Sequence, residues 1–262
     1  MQEVVDFVHA MYVVRGLMAF VLAILLFIFF KRYRQSYLKH WTLSWLALAI
    51  YYVSASLSLF LALRIGPDHP FRAMFSALAG IAGYLMVGWL LFGAYELLTR
   101  SHVRLRTVRW TLPVLAVAGL LSGVLFGGEP ALRLFVRVGV YNLLAGVAFL
   151  VAGAFIWRAQ RLRGGFGYRL LAISFFFFAL GSIVNFSLSL SRLLGSPPFV
   201  GEISTGMFDF LYLALIGLGM VASLLEDERQ ASDLALTEIE QLTYHDTVTG
   251  LPNRQYFMDR LI

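Results

Sequence analysis

The chain has 262 residues, of which 60% are hydrophobic and 14% charged, with a formal net charge of +6 and no cysteine. This is the balance of a membrane protein rather than of a soluble domain. It excludes a disulfide framework and a thiolate metal site, and it assigns the surplus of Lys and Arg to cytoplasmic loops rather than to nucleic acid.

Seven apolar runs follow one another, at 4–30, 41–63, 71–98, 111–126, 133–157, 169–190 and 204–225. A helix of about 20 residues, rising ~1.5 Å per residue, crosses a ~30 Å hydrocarbon core. The expectation is therefore an all-α, polytopic bundle of seven transmembrane helices occupying residues 1–225. The first run is longer than the apolar region of a signal peptide and has no small-residue cleavage site behind it. The fourth is the shortest, while the first and third are long enough to tilt or project.

Three loops carry four basic residues each: Lys31, Arg32, Arg34 and Lys39; Arg100, Arg104, Arg106 and Arg109; Arg158, Arg161, Arg163 and Arg169. The alternate loops are poorer, with Arg64, Arg72, Arg133, Arg137 and Arg192 at their margins. The positive-inside rule then puts the amino terminus outside and everything after Leu225 in the cytosol. The outer loops are too short to form a separate sensory domain. The layout is similar to that of seven-helix bacterial sensory receptors.

Polar residues within spans are costly and mark functional candidates. In the outer half they are His9, Tyr12 and Arg15 on the first span; Arg137, Tyr141 and Asn142 on the fifth; Asn185 on the sixth; and Asp209 on the seventh. Arg15 and Asp209 can pair, and Arg137 and Tyr141 share a helix face at i, i+4. This set lines a ligand pocket open to the outer leaflet, or it supplies the interhelical hydrogen bonds that hold the bundle together. Glu96, near the inner end of the third span, reads as a satisfied interface carboxylate. Gly119, Gly123 and Gly127 form a close-packing stripe, for which packing within the chain is weighed above a contact between two copies. Phe175 to Phe178 go right round a helix and read as bulk, lipid-facing surface.

Several chemistries drop out. A retinal Schiff base needs a lysine in the bundle, and the only lysines, Lys31 and Lys39, lie in the first inner loop. His40 and His102 lie near the inner side, where solvated histidines are expected rather than haem ligands. No His, Asp or Glu cluster has metal-ligand spacing, so no metal site is expected. No internal repeat suggests a transporter.

After Leu225 the chain turns polar at Glu226-Asp227-Glu228-Arg229. Leu225, Glu228, Ser232, Ala235, Ile239 and Leu242 follow 3,4 spacing, a poor coiled-coil seam that suits either a switchable helix or a solvated linker over 226–243. Beyond it stands Tyr244-His245-Asp246-Thr247-Val248-Thr249-Gly250-Leu251-Pro252-Asn253-Arg254. Gly250 and Pro252 turn the chain, Asn253 can cap a new helix, and Phe257 and Leu261 share a face. An ordinary turn-then-helix explains the turn but not the particular string.

That string resembles the opening of a GGDEF domain, the catalytic domain of diguanylate cyclases, whose pattern is Asp-x-Leu-Thr-Gly-Leu-x-Asn-Arg. Asp246, Thr249, Gly250, Leu251, Asn253 and Arg254 match it, with Val248 where Leu is usual. The resemblance covers about the last 18 residues. It implies that 226–243 is a signalling helix, that 244–262 opens a truncated GGDEF domain, and that the membrane is the cytoplasmic membrane of a bacterium. It further implies a homodimer in which two GTP condense to cyclic di-GMP with Mg²⁺. The residues that would bind GTP and Mg²⁺ lie beyond this stretch, so the chain itself is expected to hold no cofactor and no catalytic residue. The stimulus expected is an apolar or amphiphilic molecule arriving through the membrane. Two rival readings stand beside this one: a ligand-free membrane anchor and dimerisation module, and the regulator of a degenerate GGDEF or phosphodiesterase protein.

Overall fold

A backbone surrounded by lipid satisfies its own hydrogen bonds most simply as helix, and 93% of the described residues in the computed structural model are helical, with no strand among them. The structure describes residues 2–66, 69–125, 130–195 and 201–244. The helices are α1 (Gln2–Tyr33), α2 (Ser36–Arg64), α3 (Pro70–Thr99), α4 (Leu105–Val124), α5 (Pro130–Leu134), α6 (Val140–Arg163), α7 (Phe166–Leu193) and α8 (Gly201–Tyr244). A π-helical turn, Phe135–Gly139, joins α5 to α6, so the two make one span. Among the described residues, seven helices are long and apolar enough to cross a membrane. The chain is a seven-helix, multi-pass membrane bundle.

The helices outrun the apolar runs that announce them, because their ends are built of interfacial polar residues. α4 begins at Leu105 and carries Arg106 and Arg109 in its first turns. The stops are local. Pro70 opens α3 with its φ already set for helix. Gly164 (φ 78°) and Gly165 (φ 100°) make the reversal between α6 and α7 in the left-handed region that a side chain disfavours.

Around the bundle α1 packs on α2, α2 on α3, α3 on α6, α6 on α7, α7 on α8, and α8 back on α1. This closes a six-helix ring with α4 outside it, seated mainly on α3. Burial follows: 56% of the apolar window of α3 is inside the protein, against 17% for α4. The ring is filled by Trp41, Trp45, Phe149, Tyr168, Phe175 and Leu38, all fully buried. Phe178 joins them, with its ring 4.2 Å from that of Phe149. Phe175 and Phe178 are thus core, not lipid-facing surface. Only Phe177 of the four fits the lipid-facing expectation, 48% exposed and stacked beside Tyr212.

The glycine stripe is what seats α4. A Cβ on Gly119 would overlap the Gly80 carbonyl of α3, and one on Gly123 would lie 2.7 Å from the Ser76 oxygen. The Ser76 hydroxyl donates to the Gly123 carbonyl at 3.1 Å across the same contact. Gly119 and Gly123 therefore pack within the chain; Gly127 lies outside the described residues.

α8 runs unbroken for 44 residues, about 66 Å at ~1.5 Å per residue. It passes Glu226 without a break, so residues 226–243 continue the last span as helix. Along this tail Leu225, Ser232, Ala235 and Ile239 are exposed; the Leu242 side chain lies outside the described residues.

Candidate functional site

Two polar assemblies sit at opposite ends of the bundle. At the amino-terminal end, small residues on facing helices, Ala55, Ala79, Gly80 and Gly123, leave a chamber of about 250 Å³ between α1, α2, α3, α4 and the π-helical turn. Its polar wall comprises Tyr12, Tyr51, Arg72, Tyr84, Arg137 and Tyr141, with Ser58, Ser76 and Ser122. Arg137 sits at the centre of the π-helical turn, where the widened backbone displaces side chains from their α-helical register. It reaches α4, donating from Nη2 to the Gly123 carbonyl at 2.6 Å. Its buried Nε has no hydrogen-bond partner among the described residues.

The aromatic wall is ordered by stacking. The Tyr51 and Tyr141 rings lie 4.4 Å apart and 29° from parallel. Gly83 makes room for Tyr141, since a Cβ there would come within 2.8 Å of the ring. Behind this pair, Arg15 is buried with its guanidinium 5.7 Å from the Tyr12 ring and 5.8 Å from the Tyr52 ring, a cation–π arrangement.

Of the residues the sequence singles out, Tyr12, Arg137 and Tyr141 line the chamber together, and Arg15 backs it through Tyr12. His9 does not line it; its Nδ1 lies 2.7 Å from the Ser56 hydroxyl. Asn142 does not line it either; its side-chain amide donates to the Val138 carbonyl of the π-helical turn at 2.8 Å. Asn185 is on α7, where its carbonyl accepts the Ser189 hydroxyl at 2.9 Å. The Asp209 side chain lies outside the described residues, and with it the expected pairing to Arg15. The sequence reading misses Arg72 and Tyr51. Arg72 stands in the first turn of α3, at the same end of the bundle as Arg137, which is the one signal that marks it.

At the other end, where α8 leaves, three consecutive carboxylates hold the bundle, two of them at the start of α7 and the third on α1. Glu226 accepts the backbone N–H groups of Phe166 (2.8 Å) and Gly167 (3.0 Å) at the start of α7. A carboxylate is favoured there because the first N–H groups of a helix lack intrahelical partners and carry its positive pole. Asp227 accepts the Tyr168 hydroxyl at 2.6 Å. Arg163 donates to that same hydroxyl at 3.0 Å and to the Leu97 carbonyl of α3 at 2.6 Å. Glu228 accepts the Tyr33 hydroxyl of α1 at 2.7 Å. Gly165 and Gly167 permit this collar: a Cβ on the first would overlap the Glu226 carboxylate, and one on the second the Ser223 backbone.

Nearby, Glu96 is buried and its Oε1 accepts the Val103 N–H at 2.9 Å, but its Oε2 has no hydrogen-bond partner among the described residues, so the expectation of a satisfied carboxylate holds for one oxygen only. It also gathers His40 Nε2 at 3.6 Å and His102 Nδ1 at 3.8 Å. The two histidines do converge. The expectation that both are solvated fails for His40, whose side chain is only 15% exposed, and holds for His102 at 84%. Neither this trio nor any other group of His, Asp and Glu among the described residues is arranged to hold a metal ion.

No family model matches the chain, and neither the curated proteins nor the solved structures provide a match. The GGDEF-like string, with Asp246, Thr249, Gly250, Leu251, Asn253 and Arg254, lies outside the described residues.

Proposed function

We propose that this chain is the membrane sensory region of a diguanylate cyclase, set in the cytoplasmic membrane of a bacterium. The observation that carries the reading is the string 246–254, placed just past a helix that leaves the bundle unbroken. The basic loops α1–α2, α3–α4 and α6–α7 share one end with the α8 exit, which supports a cytosolic tail and an outer amino terminus. GTP and Mg²⁺ would be held by the GGDEF domain that the string opens, and two such domains would meet in a homodimer to make cyclic di-GMP. Control would then be geometric. A stimulus shifts output only by binding one arrangement of the bundle better than another, and α8 links the chamber end to the collar.

The parent protein with a complete GGDEF domain, in lipid vesicles with GTP and Mg²⁺, should form cyclic di-GMP, whereas the 262-residue chain should not. A parent protein with intact signature loop and no turnover would defeat the cyclase reading. A second reading, a ligand-free anchor and dimerisation module, draws on His9, whose hydrogen bond to Ser56 joins α1 to α2. It predicts that cyclase output is the same for every chamber variant that still inserts.

A further inference from the structure

We infer that the chamber between α1–α4 and the π-helical turn is a binding site for a small amphiphilic monocarboxylate, its acid group on Arg137 and its apolar body against the tyrosine wall. The inference deepens the sensory reading and rests on it for its biological meaning.

Volume sets the size. A cavity of about 150 Å³ accommodates benzene, so about 250 Å³ suits a molecule of roughly ten non-hydrogen atoms. Charge sets the head group. Among the described residues that line the chamber there are two guanidinium groups and no carboxylate. Arg137 spends Nη2 on a backbone carbonyl and keeps a buried Nε without a partner among those residues. A planar guanidinium is the side chain best matched to a planar carboxylate, which can take two parallel N–H donors. Arg72, on α3, is the second guanidinium of the lining.

The remaining wall selects the body. Leu59, Leu134, Val138 and the alanines are apolar, and the stacked Tyr51–Tyr141 pair offers a flat aromatic face. A heavily hydrated dianion such as inorganic phosphate would lose its water shell beside serine hydroxyls, Ser58, Ser76 and Ser122, that already donate to backbone carbonyls. A monocarboxylate leaves its apolar part among apolar atoms and brings only one charge to the guanidinium. The π-helical turn adds a mechanical consequence. Arg137 is tethered to α4 at Gly123, so a carboxylate drawing on the same guanidinium acts on the contact between the peripheral helix and the ring.

The test uses the 262-residue chain in nanodiscs of phosphatidylcholine, with empty nanodiscs as the blank. Octanoate and 3-phenylpropionate are titrated beside their neutral counterparts, 1-octanol and 3-phenylpropanol. Saturable binding is expected for both acids, with affinity at least tenfold above that of the matching alcohol. Arg137→Gln should abolish this preference and leave alcohol binding unchanged. Ala55→Leu, which fills the chamber without touching its charge, should weaken acids and alcohols alike. Should Arg137→Gln fail to insert, Arg137→Lys keeps the charge, loses the fork, and should still narrow the acid preference. Absence of saturable binding, equal affinity for acid and alcohol, or an unaltered preference in the inserted Arg137 variants would each overturn the inference. Because no cyclase domain is needed, carboxylate binding that leaves cyclic di-GMP output of the parent unchanged would sink the sensory reading alone.

Discussion

Glu226 accepts two N–H groups at the head of α7. Removing such a cap costs about 1–2 kcal/mol. Glu226→Ala should therefore lower the thermal midpoint of the detergent-solubilised chain by about 2–8 °C, at the ~2–4 °C per kcal/mol expected of a chain this long. Scanning calorimetry or a cysteine-free dye assay checks it, and an unmoved midpoint would mean that water caps α7 equally well. Single residues were also where the sequence was least complete. Tyr12, Arg137 and Tyr141 declare themselves by being polar at membrane depth. Arg72 does not, because at the edge of an apolar run it looks like a loop residue, and Tyr51 becomes part of a site only through the stacked ring of Tyr141. Asn142 misleads in the other direction, since nothing in its position tells that its amide turns back onto Val138.

At the level of elements, hydropathy alone counts the seven spans correctly, because lipid leaves the backbone few alternatives to helix. It misplaces the start of α4, whose first turns hide among arginines, and it cannot announce the π-helical turn, which depends on backbone bonding rather than on side-chain pattern. The glycine stripe is legible as close packing; its partner is not, since Gly80 lies on another helix. From that partner comes a test of α4. Gly119→Ala forces a methyl group into the Gly80 backbone, whereas Gly217→Ala meets only Leu22 side-chain atoms at 3.5 Å or more. Overpacking of the first kind costs about 1–3 kcal/mol. The Gly119 variant should expose the α3–α4 loop to limited proteolysis in nanodiscs, and the Gly217 variant should resist like the parent chain. Equal resistance in the two would show that α4 yields without leaving α3.

For the whole molecule, the alternation of loops makes a direct prediction. Reporter fusions at Ser101 and Gly165 should give a cytosolic signal, and fusions at Asp68, Glu129 and Pro197 an external one. A cytosolic signal at Pro197 would break the seven-span order. Which helices become neighbours is the part that composition conceals, because every span is apolar enough to face lipid or protein. Ring closure shows instead in polar contacts of long reach: among the described residues, Glu228 of α8 accepts the Tyr33 hydroxyl across 195 residues of sequence and pairs with the adjacent Arg32 of α1.

That closing contact has a consequence for how the protein is made. Ribosomes add residues at about 5–20 per second, so α1 resides in the bilayer for about 10–40 s before its last neighbour is synthesised. Until then the α1 wall of the chamber has one flank against α2 and the other against lipid. Biogenesis would thus reach its final geometry only when the last span has been delivered. A nascent chain halted before Leu224 should be extracted by mild detergent far more readily than one halted after Tyr244.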